Sequence, residues 1–88
     1  MNAAKILWVD DEMESLKSQI MFLENKGYKI HSVSNGFDAV DYVKDNEVDV
    51  VLLDESMPGI SGLETLQKIK ALKSQTPIVL ITKMKRKI

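Results

Sequence analysis

The run "VDVVLLD", residues 48–54, is almost wholly apolar and stops on an aspartate. Short, continuous apolar runs of this kind belong to strands covered on both faces, and such strands lie in parallel sheets. A parallel sheet cannot be closed by tight hairpins; each connection needs a crossover, usually a helix. This one segment therefore asks the rest of the chain for more strands and for helices between them.

The sequence supplies both. "KILWV" at 5–9 is a second apolar run, halted by Asp10, Asp11 and Glu12. Met13, Leu16, Ile20 and Leu23 then recur at helical spacing, with Gly27 as a terminator. "YKIHSV" at 28–33 alternates as a strand does, with Tyr28, Ile30 and Ser32 on one side. After Asn35-Gly36, Ala39, Val40 and Val43 share a helical face. Ser61 and Glu64 form a capping-box pattern ahead of a helix whose stripe is Leu63, Leu66, Ile69 and Leu72. Pro77 introduces a last apolar run, "IVLIT" at 78–82.

Four strands alternating with three helices predict an α/β fold with one doubly wound parallel sheet, either flavodoxin-like or half of a Rossmann fold. No repeat, linker or second domain is visible in the 88 residues. The chain has no cysteine, which removes disulfide and thiolate chemistry. No apolar run nears the ~18 residues of a membrane span, and the N-terminus lacks a signal-peptide layout, so a cytoplasmic protein without a membrane partner is expected. Lys83, Lys85, Arg86 and Lys87 follow a body of 8 basic and 13 acidic residues, which carries −5. An acidic body argues against direct nucleic-acid binding.

In open α/β sheets, ligands sit beyond the carboxyl ends of the strands. Here those ends carry Asp10-Asp11, Asp54 and Thr82; the end near His31 offers nothing comparable. In the flavodoxin-like order the first strand adjoins the third and the third adjoins the fourth, so three carboxylates and a hydroxyl converge. Clustered carboxylates repel, and a divalent cation relieves them. An all-oxygen ligand set suits Mg²⁺, while one distant histidine and no cysteine argue against zinc. Neither G-x-G-x-x-G nor G-x-x-x-x-G-K-[ST] occurs, so dinucleotide and P-loop readings lose their support. Glu55-Ser56-Met57 also lacks the second aspartate of haloacid-dehalogenase-type phosphohydrolases.

"ILWVDDE" at 6–12, "VVLLDESMPGISGLETL" at 50–66 and "PIVLIT" at 77–82 together resemble the receiver domain of two-component response regulators. The resemblance runs through the whole chain in order. It implies a flavodoxin-like fold and a phosphoacceptor at Asp54, supplied by a histidine kinase. It also implies Mg²⁺ held directly by Asp11 and Asp54, by Asp10 through water, and by the backbone carbonyl of Ser56, with Thr82 as the switch hydroxyl. Receivers of this family also carry a lysine and an aromatic residue on a fifth strand. No such strand precedes Ile88, and Lys83 stands at the wrong place to be that lysine. The resemblance thus reads residues 1–88 as an incomplete receiver, short of about 35–45 residues of helix, strand and helix.

Two rival readings keep the same fold: a module that works by association alone, and a Mg²⁺-dependent phosphohydrolase using the same aspartates. Glu55 would line the mouth of the site and affect attack by water on an acyl phosphate. His31 reads as a solvated strand residue and Trp8 as packing beneath the first helix. With "IVLIT" at the sheet edge, apolar on both sides, a homodimer through the fourth strand is expected.

Overall fold

The first apolar run becomes an inner strand because partners are available on both of its edges. In the computed structural model, which describes residues 3–82, β1 (Lys5–Val9) pairs in parallel with β2 (Lys29–Val33) and with β3 (Val50–Asp54). Strand β4 (Ile78–Ile81) pairs with the far edge of β3, giving the order β2-β1-β3-β4. The expected order is thereby met. The run at 48–54 is shortened to a strand over 50–54, and Tyr28 falls outside β2, which starts at Lys29.

Between the strands lie a 3₁₀ turn (Met13–Leu16), α1 (Lys17–Asn25), α2 (Gly36–Asp45) and α3 (Gly62–Leu72). Helix α1 ends in a Schellman motif. Gly27, at φ 99°, turns the chain while its N–H donates to the Glu24 carbonyl and that of Tyr28 donates to Leu23. Helices α2 and α3 are capped by side chains: Asn35 accepts from the Asp38 N–H and Ser61 from the Glu64 N–H. Of the box anticipated at Ser61, the side-chain cap is formed, and Glu64 reaches back to accept from the Ser61 hydroxyl at 3.4 Å.

Helices α2 and α3 pack together on one face of the sheet, and the core lies under them. Leu7, Val9, Val51 and Leu53 meet Ala39, Val43 and Ile69, all buried, with Val40, Leu66, Ile78 and Leu80 around them. The expected stripe on α3 needs correcting. Leu63 and Leu72 are exposed, and the buried positions are Gly62, Thr65 and Ile69. Thr65 can be buried because its hydroxyl donates to the Ser61 carbonyl at 2.8 Å.

Among the described residues, α1 is the helix that covers the opposite face. Trp8 lies under it as expected, in a cavity also lined by Ser18, Gln19, Phe22 and Leu23. No residue of α1 is buried; Met13, Leu16, Ile20 and Leu23 are half-exposed. On this face Trp8, Leu52 and Val79 stand in register, and Val79 is 49% exposed.

Candidate metal centre

All four strands run the same way, so their carboxyl ends share one rim. Asp10 follows β1 directly, and its backbone N–H continues the ladder by donating to the Val33 carbonyl at 3.1 Å. Its side chain is 2% exposed, and Oδ1 accepts the Glu12 N–H at 2.8 Å. The next residue, Asp11, is exposed. Asp54 ends β3, is fully buried, and accepts the Ser56 N–H on Oδ1 at 3.2 Å. Each of the three carboxylates offers an oxygen within 4.8 Å of the others.

That arrangement fits a small divalent cation. Burying carboxylates away from water is costly without positive charge or donors to meet them. The two backbone N–H groups supply part of what is required, each meeting one carboxylate oxygen. The donor set is oxygen alone, which suits Mg²⁺ over zinc. The pair divides into a buried, pre-oriented Asp10 and an exposed Asp11.

Ser56, Thr82 and Glu55 sit at or near this rim. Ser56 is exposed, two residues past Asp54. Thr82 is exposed and lies one residue beyond β4, whose Ile81 carbonyl accepts the Glu55 N–H at 3.0 Å. Glu55 is exposed beside Asp54. His31 is remote from the rim; it is solvent-exposed, as expected, but its ring also stacks on Tyr42 at 4.0 Å. Lys83 and the basic tail lie outside the described residues.

Glycine 62 is the structural residue that spacing did not reveal. A Cβ there would lie 2.5 Å from the Asp54 carbonyl oxygen and 2.7 Å from Glu55 Cα. Its N–H donates to the Glu55 carbonyl at 3.0 Å. The start of α3 is thus pressed against the main chain that carries the central carboxylate. The only hint was a glycine inside an otherwise ordinary helix start.

The chain has relatives among known proteins. The family model for the response regulator receiver domain matches residues 6–88. Two curated relatives from Bacillus subtilis are similar. The uncharacterized transcriptional regulatory protein YkoG is 37% identical over 93% of this chain and 36% of its own length. The transcriptional regulatory protein ResD is 38% identical over 92% of this chain and 33% of its own. The chain therefore spans about a third of these relatives. Among solved structures, the response regulator TrrA of Thermotoga maritima in complex with Mg(2+)-BeF is 38% identical with a TM-score of 0.83, over 90% of this chain and 69% of that one. TrrA has also been solved in complex with the histidine kinase ThkA. A CheY-like receiver from Methanospirillum hungatei shares the fold at a TM-score of 0.89 and 24% identity, over 97% of this chain and 68% of that one.

Proposed function

The chain belongs to the response regulator receiver domain family, and on that premise we propose that it is a phosphoacceptor taking a phosphoryl group from a histidine kinase onto Asp54. The observation that carries this reading is the cluster of Asp10, Asp11 and Asp54 at the ends of adjacent parallel strands. In the transfer, a P–O bond forms to a carboxylate oxygen of Asp54 while the P–N bond of the donor's phosphohistidine breaks. The electron pair of that bond leaves on the imidazole nitrogen.

Asp11 and Asp54 would hold Mg²⁺ directly, Asp10 would act through water, and Ser56 would contribute its backbone carbonyl. Bound Mg²⁺ would neutralise the oxygens of the arriving phosphoryl group. The Glu12 N–H keeps the Asp10 carboxylate aimed at the cluster. The Ser56 N–H does the same for Asp54. Thr82 would follow the phosphoryl group with its hydroxyl, and Glu55 would stand where water approaches it.

The reading is of a regulatory module and not an enzyme, working in the cytoplasm. Among the described residues no helix is long and apolar enough to cross a membrane. The acidic body does not favour direct contact with nucleic acid. A second copy of the chain is proposed as a partner at β4, one of the two outer strands among the described residues.

Incubation with acetyl phosphate and Mg²⁺, followed by mass spectrometry, tests the assignment. One phosphoryl group should appear, vanish with hydroxylamine, and be absent from Asp54→Asn. No adduct on the wild-type chain would favour a module acting by association alone. Continuous release of phosphate would favour a phosphohydrolase. Equal labelling of Asp54→Asn would remove Asp54 from its role.

A further inference from the structure

The geometry points to a mechanical link between the Asp54 carboxylate and the N-terminus of α2, with Phe37 as its exposed end; the link rests on the phosphoacceptor reading. The segment from Glu55 to Gly62 is a closed lobe. Its two ends are joined by the hydrogen bond from the Gly62 N–H to the Glu55 carbonyl at 3.0 Å, and Gly62 has no room for even a methyl group. Near its start, the Ser56 N–H is held by Asp54 Oδ1 at 3.2 Å. Its far side rests on α2. A Cβ on Gly36 would lie 2.7 Å from Ile60 Cγ1 and closer still to Thr65 Oγ1, and one on Gly59 would lie 3.2 Å from the Phe37 ring.

These contacts leave the lobe few ways to move. A group bonded to the Asp54 carboxylate changes the acceptor that the Ser56 N–H uses, so the near end of the lobe must readjust. The joined base cannot open without losing its hydrogen bond and the close seat of Gly62. Ile60 is buried and Gly59, at φ 86°, holds the turn. The readjustment is therefore delivered where the lobe touches α2, at Gly59 and Phe37. Close-packed contacts transmit such shifts in place of absorbing them. Phe37 is 56% exposed, so the change arrives at the surface, on an element that contributes nothing to the acidic centre. Occupancy of Asp54 is thereby reported at the start of α2.

The chain offers its own probe, because it contains two phenylalanines, Phe22 on α1 and Phe37 on α2. The full chain labelled with fluorophenylalanine should give two ¹⁹F lines, assigned with Phe22→Leu. Mg²⁺ with beryllofluoride, which a carboxylate oxygen can hold as it would a phosphoryl group, should move the Phe37 line and leave the Phe22 line in place. Asp54→Asn should abolish the shift. Bound fluoroberyllate, seen by its own ¹⁹F signals, with an unmoved Phe37 line would overturn the link and leave the phosphoacceptor reading standing. Failure of fluoroberyllate to bind would overturn that reading and the link with it.

Discussion

Asp54 is fully buried and has Asp10 and Asp11 within 4.8 Å, so its negative charge is costly whenever no cation is present. Asp54→Asn removes that charge while keeping an oxygen for the Ser56 N–H. The metal-free protein should gain on the order of 1 kcal/mol in urea unfolding, below the full Coulomb cost because Asp11 is exposed. The same substitution should remove most of the rise in Tm that millimolar Mg²⁺ gives the wild type. A Tm indifferent to Mg²⁺ in the wild type would mean the cluster is not a binding site. Gly62→Ala should act in the opposite sense, costing roughly 1–3 kcal/mol, since a methyl group must displace main chain and not a flexible side chain. The three aspartates were legible because each closes an apolar run, and strand ends are where chemistry collects in such sheets. Gly62 was not legible, because its role lies in a through-space contact with the Asp54 carbonyl that no periodicity encodes.

The helices differ in what holds them. Helix α3 has a side-chain cap, a buried hydroxyl and a seat on the core; Ser61→Ala should cost about 1 kcal/mol through the cap alone. Helix α1 has no side-chain cap and no buried residue. Its amides should exchange with deuterium well before those of β1 and β3, a ranking that hydrogen exchange measures directly. Equal protection of α1 and β3 would contradict it. The alternation of strands and helices was readable because periods of two and of three to four residues differ plainly. The face of α3 was misread for a physical reason. Leucine positions alone favoured Leu63 and Leu72, but the helix turns small residues inward: Gly62 toward the main chain of Asp54 and Glu55, and Thr65 toward Gly36 on α2. Val48 packs against the core without joining β3, so apolar character extended the anticipated strand two residues too far.

At the scale of the molecule, the sheet is unequally clothed among the described residues: two helices on one face, and on the other α1 alone, with Val79 half open to water. Strand β4, one of two outer strands, presents Ile78, Val79, Leu80 and Ile81, none fully buried, and an edge with no strand beyond it among the described residues. Such an edge pairs readily with another chain. The 88-residue chain should therefore sediment as a dimer at micromolar concentration, and Val79→Lys should shift it toward monomer. A wild-type monomer over that range would contradict the proposed pairing. The strand order was legible because parallel strands joined by right-handed helical crossovers leave few arrangements, whereas the uneven cover depended on where α1 comes to rest, which its weak stripe did not specify. The shared direction of the strands has one more result. The rim at Lys5, Lys29, Val50 and Ile78 lies opposite the carboxylates, about 13–17 Å away by strand rise. Turns on that rim, such as residues 46–49 and 74–76, are where a lineage could accumulate insertions, or an engineer could graft a reporter, without touching the chemistry.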